Sequence, residues 1–353
     1  IKEFIAVNPN VKHVVYDAIS ESATADAMLA MYGKRALPKY HLDKAKTIVS
    51  FGADFLGDFH GGFEKAYVAG RKPETGKMSY HVQFESNMSL TGSNADKRIV
   101  VKPSDQVFAL LNLYNAVTGA NVPSKATPVD ATVKKMAKEL RKSGSKAVVM
   151  TGLNDKNAQL VAFAINAALN SEIFDTRNTL NIRQGNDAEV NQLVSDMKSG
   201  KVSGLLAYNV NPVYSLANAS DFKAGLEKLE LSVAMSTENN ATVDAFNYAL
   251  PTPHFLESWG DTQFDETTYG LMQPTIQPLF NTRQLQDTLL KWSGNSTKYY
   301  DYLKNFASEN VLNNTSWNKA LHNGFYIKNV AFNDLEYVST VSIANAASEL
   351  SNA

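Results

Sequence analysis

Histidines, hydroxyls and carboxylates are the side chains with which this chain of 353 residues could do chemistry, because it contains no cysteine. The histidines are His13, His41, His60, His81, His254 and His322, and no pair falls at HxH or HxxxH spacing, so a histidine metal site is poorly supported. His13 and His81 lie in apolar runs and read as core or edge residues; His60 and His254 fall in loops, where either could hydrogen-bond a ligand. Ser89, Thr91 and Ser93 invite a hydrolase reading, but no GxSxG elbow accompanies them and Ser and Thr are ordinary turn formers. Glu257 and Asp261 could act as an acid–base pair, against the stronger reading that a carboxylate beside Trp259 and Gly260 caps a turn. Gly52-Ala53-Asp54-Phe55-Leu56-Gly57 is neither GxGxxG nor a P-loop; it reads first as a strand-to-helix turn and second as some other phosphate cradle. On residues alone no reaction is supported.

The elements that would position these groups alternate. Strands are expected at Val11–Tyr16, Lys46–Phe51, Ser79–Glu85 and Arg98–Lys102, with helices over Ser20–Tyr32, stopped by Gly33, and Asp105–Thr118. Gly119–Asp130, with Pro123 and Pro128, is turn-rich and marks a boundary. The pattern then restarts: helices at 131–142, 157–169, 188–199 and 221–229 alternate with strands at 146–151, 203–209 and 231–235. After Asp261 the chain is irregular, then helical over 282–292 and 298–307, and weakly patterned over 331–353. The expectation is an α/β protein of two doubly wound, mostly parallel units, 1–125 and 126–290, with an irregular, partly helical extension over 291–353. The polar stretch Ser236–Asp261 follows a strand of the second unit, where open α/β sheets place their ligands.

Composition excludes several classes. A net charge of -1 carries no polyelectrolyte signature, so nucleic acid is an unsuitable partner. No apolar run approaches the roughly 20 residues that cross a bilayer as a helix. Without cysteine the chain holds no thiolate-ligated cluster. Starting at Ile1, it reads as a piece of a longer or processed polypeptide.

Four stretches, in order, resemble the molybdopterin oxidoreductase superfamily of the dimethyl-sulfoxide-reductase type, especially its polysulfide- and tetrathionate-reductase-like branch. They are TIVSFGADFLG at Thr47–Gly57, Glu85–Asp105, LLAYNVNP at Leu205–Pro212, and Ser236–Asp261 with its Leu-Pro and Glu-Ser-Trp-Gly-Asp. The resemblance covers about residues 10–290. It implies two Rossmann-like domains that hold the dinucleotide arms of a molybdopterin guanine dinucleotide. The positions implied are Gly52, Glu85, Ser104 and Asp105 in the first unit and Asn211, Pro212, Thr237, Glu238 and Thr242 in the second. Glu85-Ser86-Asn87 replaces the family's Asp-Pro-Arg and loses an arginine that pairs with phosphate. Pro103-Ser104-Asp105-Gln106 replaces Pro-Gly-Thr-Asp, and Phe246-Asn247 replaces Ala-Asp.

Those departures are similar to the molybdopterin-like region of the large iron–sulfur subunit of bacterial alternative complex III. That likeness implies a non-catalytic scaffold in a quinol-oxidising respiratory complex at the periplasmic face of the inner membrane, with no cofactor in this segment. It implies as partners a ferredoxin-like iron–sulfur region, a multihaem cytochrome c and membrane quinol-binding subunits, with iron–sulfur clusters carried elsewhere. The alternative is a catalytic fragment in which Asp105, Asn211 and Thr237 grip the pterin dinucleotide; a third reading is a periplasmic solute-binding protein.

Overall fold

The computed structural model describes residues 1–332 and 341–352. The chain forms two compact units: the first comprises residues 21–183 and 331–353, the second residues 1–20 and 184–330. The division therefore falls elsewhere than the expected junction at 125/126.

In the first unit the strands are β1 (Leu37–Tyr40), β2 (Thr47–Phe51), β3 (Arg71–Lys72), β4 (Lys77–Met78), β5 (Tyr80–Glu85), β6 (Lys97–Val100), β7 (Ala147–Thr151) and β8 (Phe174–Leu180). The main sheet is wholly parallel, in the order β6-β5-β2-β7. β7 was expected in the second unit, but it pairs with β2 from Thr47↔Ala147 to Phe51↔Thr151. A turn-rich stretch such as 119–130 marks a boundary between elements, and only ladder pairing decides whether it also separates domains. Every residue of β2 and β7 is buried, as parallel strands covered on both faces require. Phe51 and Phe84 stack at 4.8 Å in this core. The helices Pro103–Thr118, Asp130–Ser143 and Lys156–Ala168 supply apolar stripes such as Val133, Met136, Ala137 and Leu140. β1 and β8 form a separate antiparallel pair, and β3 and β4 a short hairpin.

The helix Ser22–Tyr32 ends at Gly33, whose φ of 72° makes a left-handed cap donating to the Leu29 carbonyl, as its glycine stop predicts. The weakly patterned end of the chain contains the helix Ile343–Asn352, which buries Ile343, Ala346, Ala347 and Leu350. That spacing is one helical face, and Asn157 Nδ2 donates to Glu349 Oε2 at 2.7 Å. Part of the expected extension thus belongs to the first unit's core; residues 333–340 lie outside the described residues.

The second unit holds a parallel sheet of β9 (Gly204–Tyr208), β10 (Leu231–Ser236) and β11 (Tyr248–Pro251), in the order β11-β10-β9. The helices Asp187–Lys198 and Ala219–Leu226 pack Val194, Met197, Phe222 and Leu226 with Ala207, Ala234 and Phe246. Val11–Tyr16, expected as a strand, has no ladder partner among the described residues; it is tied down by the Val15 carbonyl accepting Asn186 N–H at 3.0 Å and by Tyr16 Oη and Ser215 Oγ at 2.6 Å.

The stretch after Asp261, expected to be irregular, instead contributes to an antiparallel sheet of β12 (Gly260–Gln263), β13 (Thr268–Met272) and β14 (Phe325–Ile327). Its strands are too short to show alternation, and its signal was the turn. Asp265 Oδ1 accepts the N–H groups of Thr267 and Thr268 at 2.8 and 2.7 Å, an Asx-type turn that sets the register. Helices Leu285–Trp292, Tyr299–Asn310 and Trp317–Asn323 enclose a second small core around Tyr269, Tyr299, Leu303 and Trp317.

Candidate functional site

The first unit's expected residues gather where β2 and β5 end. Gly52 follows β2 with φ of 67°, a left-handed conformation that favours glycine, and donates to the Phe84 carbonyl at 2.8 Å. A Cβ on Gly52 would lie 3.0 Å from Gln106 Oε1, so the Gln106 side chain covers this glycine. Gln106, in the first turns of helix Pro103–Thr118, also donates to Ser86 Oγ at 2.9 Å. Ser104 is exposed and Asp105 half-buried, and it is Gln106 that reaches across the edge.

Glu85 closes β5 and is buried to 3 % exposure. Its Oε1 accepts Arg98 Nε at 2.5 Å and Ser89 N–H at 3.2 Å; its Oε2 accepts Ser89 Oγ at 2.6 Å and Gln83 Nε2 at 3.3 Å. Burial opposes ionisation, but the Ser89 hydroxyl, Arg98, the Ser89 N–H and Gln83 outweigh it and hold the carboxyl below its usual range. Ser89 is thereby explained as a cap rather than a nucleophile, since its Oγ also accepts Gly92 N–H at 2.8 Å. Thr91 Oγ1 accepts Leu56 N–H at 2.8 Å and Thr91 N–H donates to Asp54 Oδ1 at 2.9 Å, tying the loop after β2 to the turn after β5. That loop is the strand-to-helix turn of the first reading.

Behind Glu85 runs a polar file that sequence reasoning did not single out. His81, Gln83 and Glu85 point to one face of β5, and all are buried. Gln83 gives its amide N–H groups to Glu85 and to the Ala53 carbonyl, so its own carbonyl oxygen faces His81 Nε2 at 3.3 Å. On the other side of the ring His81 Nδ1 lies 3.0 Å from Tyr67 Oη, whose hydroxyl donates to the Asn94 carbonyl at 3.0 Å. Burial pushes His81 down to about 4, against the pull of Gln83, and pushes Tyr67 up to about 12. The alternation His-Val-Gln-Phe-Glu was the available signal: a polar set at period two inside a parallel strand otherwise expected to be apolar.

In the second unit Asn211 and Thr242 come together. Asn211 Oδ1 accepts Thr242 Oγ1 at 2.8 Å and Thr242 N–H at 3.2 Å, and Thr242 Oγ1 accepts Val213 N–H at 3.0 Å. Pro212 is buried at the start of the short helix Pro212–Ser215. Thr237 and Glu238 stand apart from that pair, exposed in the loop after β10. Phe246 packs into the helix-side core, and Asn247 clamps Ser232, with Oδ1 accepting its N–H at 2.9 Å and its Oγ at 2.8 Å.

The remaining candidates are structural. Asp261 Oδ2 accepts Tyr269 Oη at 2.7 Å and Oδ1 accepts Tyr299 Oη at 2.9 Å, which commits both oxygens; Glu257 sits in the 3₁₀ turn Phe255–Glu257. His254 Nδ1 accepts Leu256 N–H at 3.3 Å as a cap of that turn. His41 Nε2 meets Asp175 Oδ2 at 3.0 Å, while His13 and His322 are exposed. His60 is buried at φ of 54°, with its Nδ1 3.6 Å from Glu21 Oε1. Among the described residues no group of three or more His, Asp or Glu side chains could hold a metal ion.

No family model matches the chain. Over 107 residues it is 33 % identical to the menaquinone reductase, molybdopterin-binding-like subunit of Nitratidesulfovibrio vulgaris strain Hildenborough, a match covering 28 % of this chain and 16 % of that protein. Its fold is similar to that of acetylene hydratase from Pelobacter acetylenicus, with a TM-score of 0.61 and 12 % identity, covering 88 % of this chain and 55 % of that one. The chain thus spans about half the length of that solved structure and matches a small part of the reductase subunit. Together these likenesses support the superfamily resemblance carried by the sequence motifs, and they do not single out alternative complex III.

Proposed function

We propose that this region is a non-catalytic, molybdopterin-enzyme-like scaffold within a subunit of a quinone-linked respiratory complex. The observation that carries the proposal is the match to a molybdopterin-binding-like subunit of a menaquinone reductase. The finer assignment, a quinol-oxidising complex of the alternative complex III type at the periplasmic face, rests on the motif departures at Glu85–Asn87, Pro103–Gln106 and Phe246–Asn247. In this reading the region positions a ferredoxin-like iron–sulfur region against multihaem cytochrome c and membrane quinol-binding subunits. Among the described residues no helix is long and apolar enough to cross a membrane.

The residues at the first sheet edge do not fit a pterin dinucleotide. Gly52 is covered by Gln106, and Glu85 is engaged by Arg98, Ser89 and Gln83. Elemental analysis of natively purified protein tests the proposal. Molybdenum well below one atom per chain is expected, and one atom per chain would overturn it in favour of a catalytic fragment with Asp105, Asn211 and Thr237 at the cofactor.

A further inference from the structure

Glu85 has the hydrogen-bonding pattern of a bound ligand. A carboxylate offers about four lone-pair sites. The two oxygens here accept from Arg98 Nε, Ser89 N–H, Ser89 Oγ and Gln83 Nε2, so each site is used. The donors converge from three separate pieces of chain. Gln83 is two residues back on the same face of β5, Arg98 is its register partner on β6, and Ser89 opens the turn between them. The enclosure is tight, because a Cβ on Gly92 would come within 1.9 Å of Glu85 Oε1. The Arg98 side chain keeps 24 % exposure, against 4 % for that of Glu85, and its Nη2 also donates to the Ser86 carbonyl at 3.4 Å.

We propose that the Glu85 carboxylate is the built-in occupant of an anion receptor at the carboxyl edge of the first parallel sheet, which admits no external anion while Arg98, Ser89 and Gln83 hold that side chain. The inference rests on the reading that this region carries no pterin dinucleotide, and it names what closes the edge. Its chemical consequence is specific. Truncating Glu85 at Cβ leaves a guanidinium, a hydroxyl, a backbone N–H and an amide aimed at a vacated, buried space. Unsatisfied buried donors are costly, so the space takes back a small carboxylate from solution. Formate is smaller than the CH2–carboxylate group that the truncation removes and carries the same two acceptor oxygens.

The test is thermal unfolding of the purified full chain and its Glu85→Ala variant, with sodium formate titrated against sodium chloride at equal ionic strength. The variant is expected to melt below the parent and to regain stability with formate along a saturating curve, as binding to the native state requires. The parent shows no such response, and adding Arg98→Ala to the variant abolishes it. A folded Glu85→Ala variant indifferent to formate, or a parent that responds equally, overturns the proposal. Should Glu85→Ala fail to fold, Glu85→Gln, of the same size but neutral, is expected to melt below the parent; a parent-like Tm overturns it. Saturable stabilisation of the parent by GDP, lost in Glu85→Gln, also overturns it, because Glu85 would then have capacity for an outside partner. Molybdenum content decides the scaffold reading separately, so the two can fail independently.

Discussion

At the carboxyl edge of β5 a carboxylate meets a guanidinium, whereas at the edges of β9 and β10 an amide oxygen meets a hydroxyl. The first joins neighbouring strands β5 and β6, the second joins the turn after β9 to the helix after β10, and they do so at different cost. A buried charge is tolerated only when its partner and hydrogen bonds compensate desolvation, so Glu85 demands Arg98, Ser89 and Gln83 together. A neutral pair such as Asn211 and Thr242 needs far less, and it leaves the neighbouring Thr237 and Glu238 exposed. The first edge is consequently expected to be rigid and intolerant of substitution, the second adaptable.

Removing Arg98 tests this contrast most severely. Arg98→Ala leaves the Glu85 carboxylate buried without its cation and is expected to cost about 3–5 kcal/mol in urea unfolding. A cost no larger than that of a second-unit variant would erase the distinction between the edges.

The polar file behind Glu85 is expected to show itself in acid. The folded state holds His81 down at about 4, below its ordinary value, so between the two values the unfolded chain binds more protons. Stability from this group is complete above about pH 6.5 and is lost as pH falls towards 4, by about 2–3 kcal/mol at pH 4.5. Urea midpoints at pH 7 and 4.5 for the parent and for His81→Gln check this; an unchanged difference in the variant would remove His81 as its source.

Smaller effects are expected in the second unit. Thr242→Val deletes the hydroxyl that bonds Asn211 and Val213 and is expected to cost about 1–2 kcal/mol. Thr237→Ala and Glu238→Ala, in the exposed loop, are expected to stay within about 0.5 kcal/mol of the parent. Large losses in these last variants would mean that the loop is engaged after all.

Much of the α/β grammar was legible from sequence. The short β-rich, mainly apolar runs of β2 and β7, the glycine stop at Gly33 and the amphipathic helix Asp130–Ser143 are local signals, and each element formed close to its expected span. The antiparallel sheet of β12 to β14 was not legible, because strands of three to five residues carry too few alternations. At the site, Glu85 and Gly52 were picked out by resemblance, but Arg98, Gln83 and Gln106 were missed. Their roles depend on strand register and helix placement, which no local pattern encodes.

What the sequence by itself determined was the inventory and the local elements: no thiol chemistry, no nucleic-acid charge, and short apolar runs separated by helices. Only the tertiary structure decided which strand joined which sheet and which side chain met which. β7 pairs with β2 although a turn-rich segment lies between them in the chain, and Arg98 reaches Glu85 because β6 pairs beside β5. The physical reason is common to both cases. Propensity and hydrophobic period are properties of neighbours in sequence, whereas ladder pairing and the neutralisation of a buried charge are properties of neighbours in space.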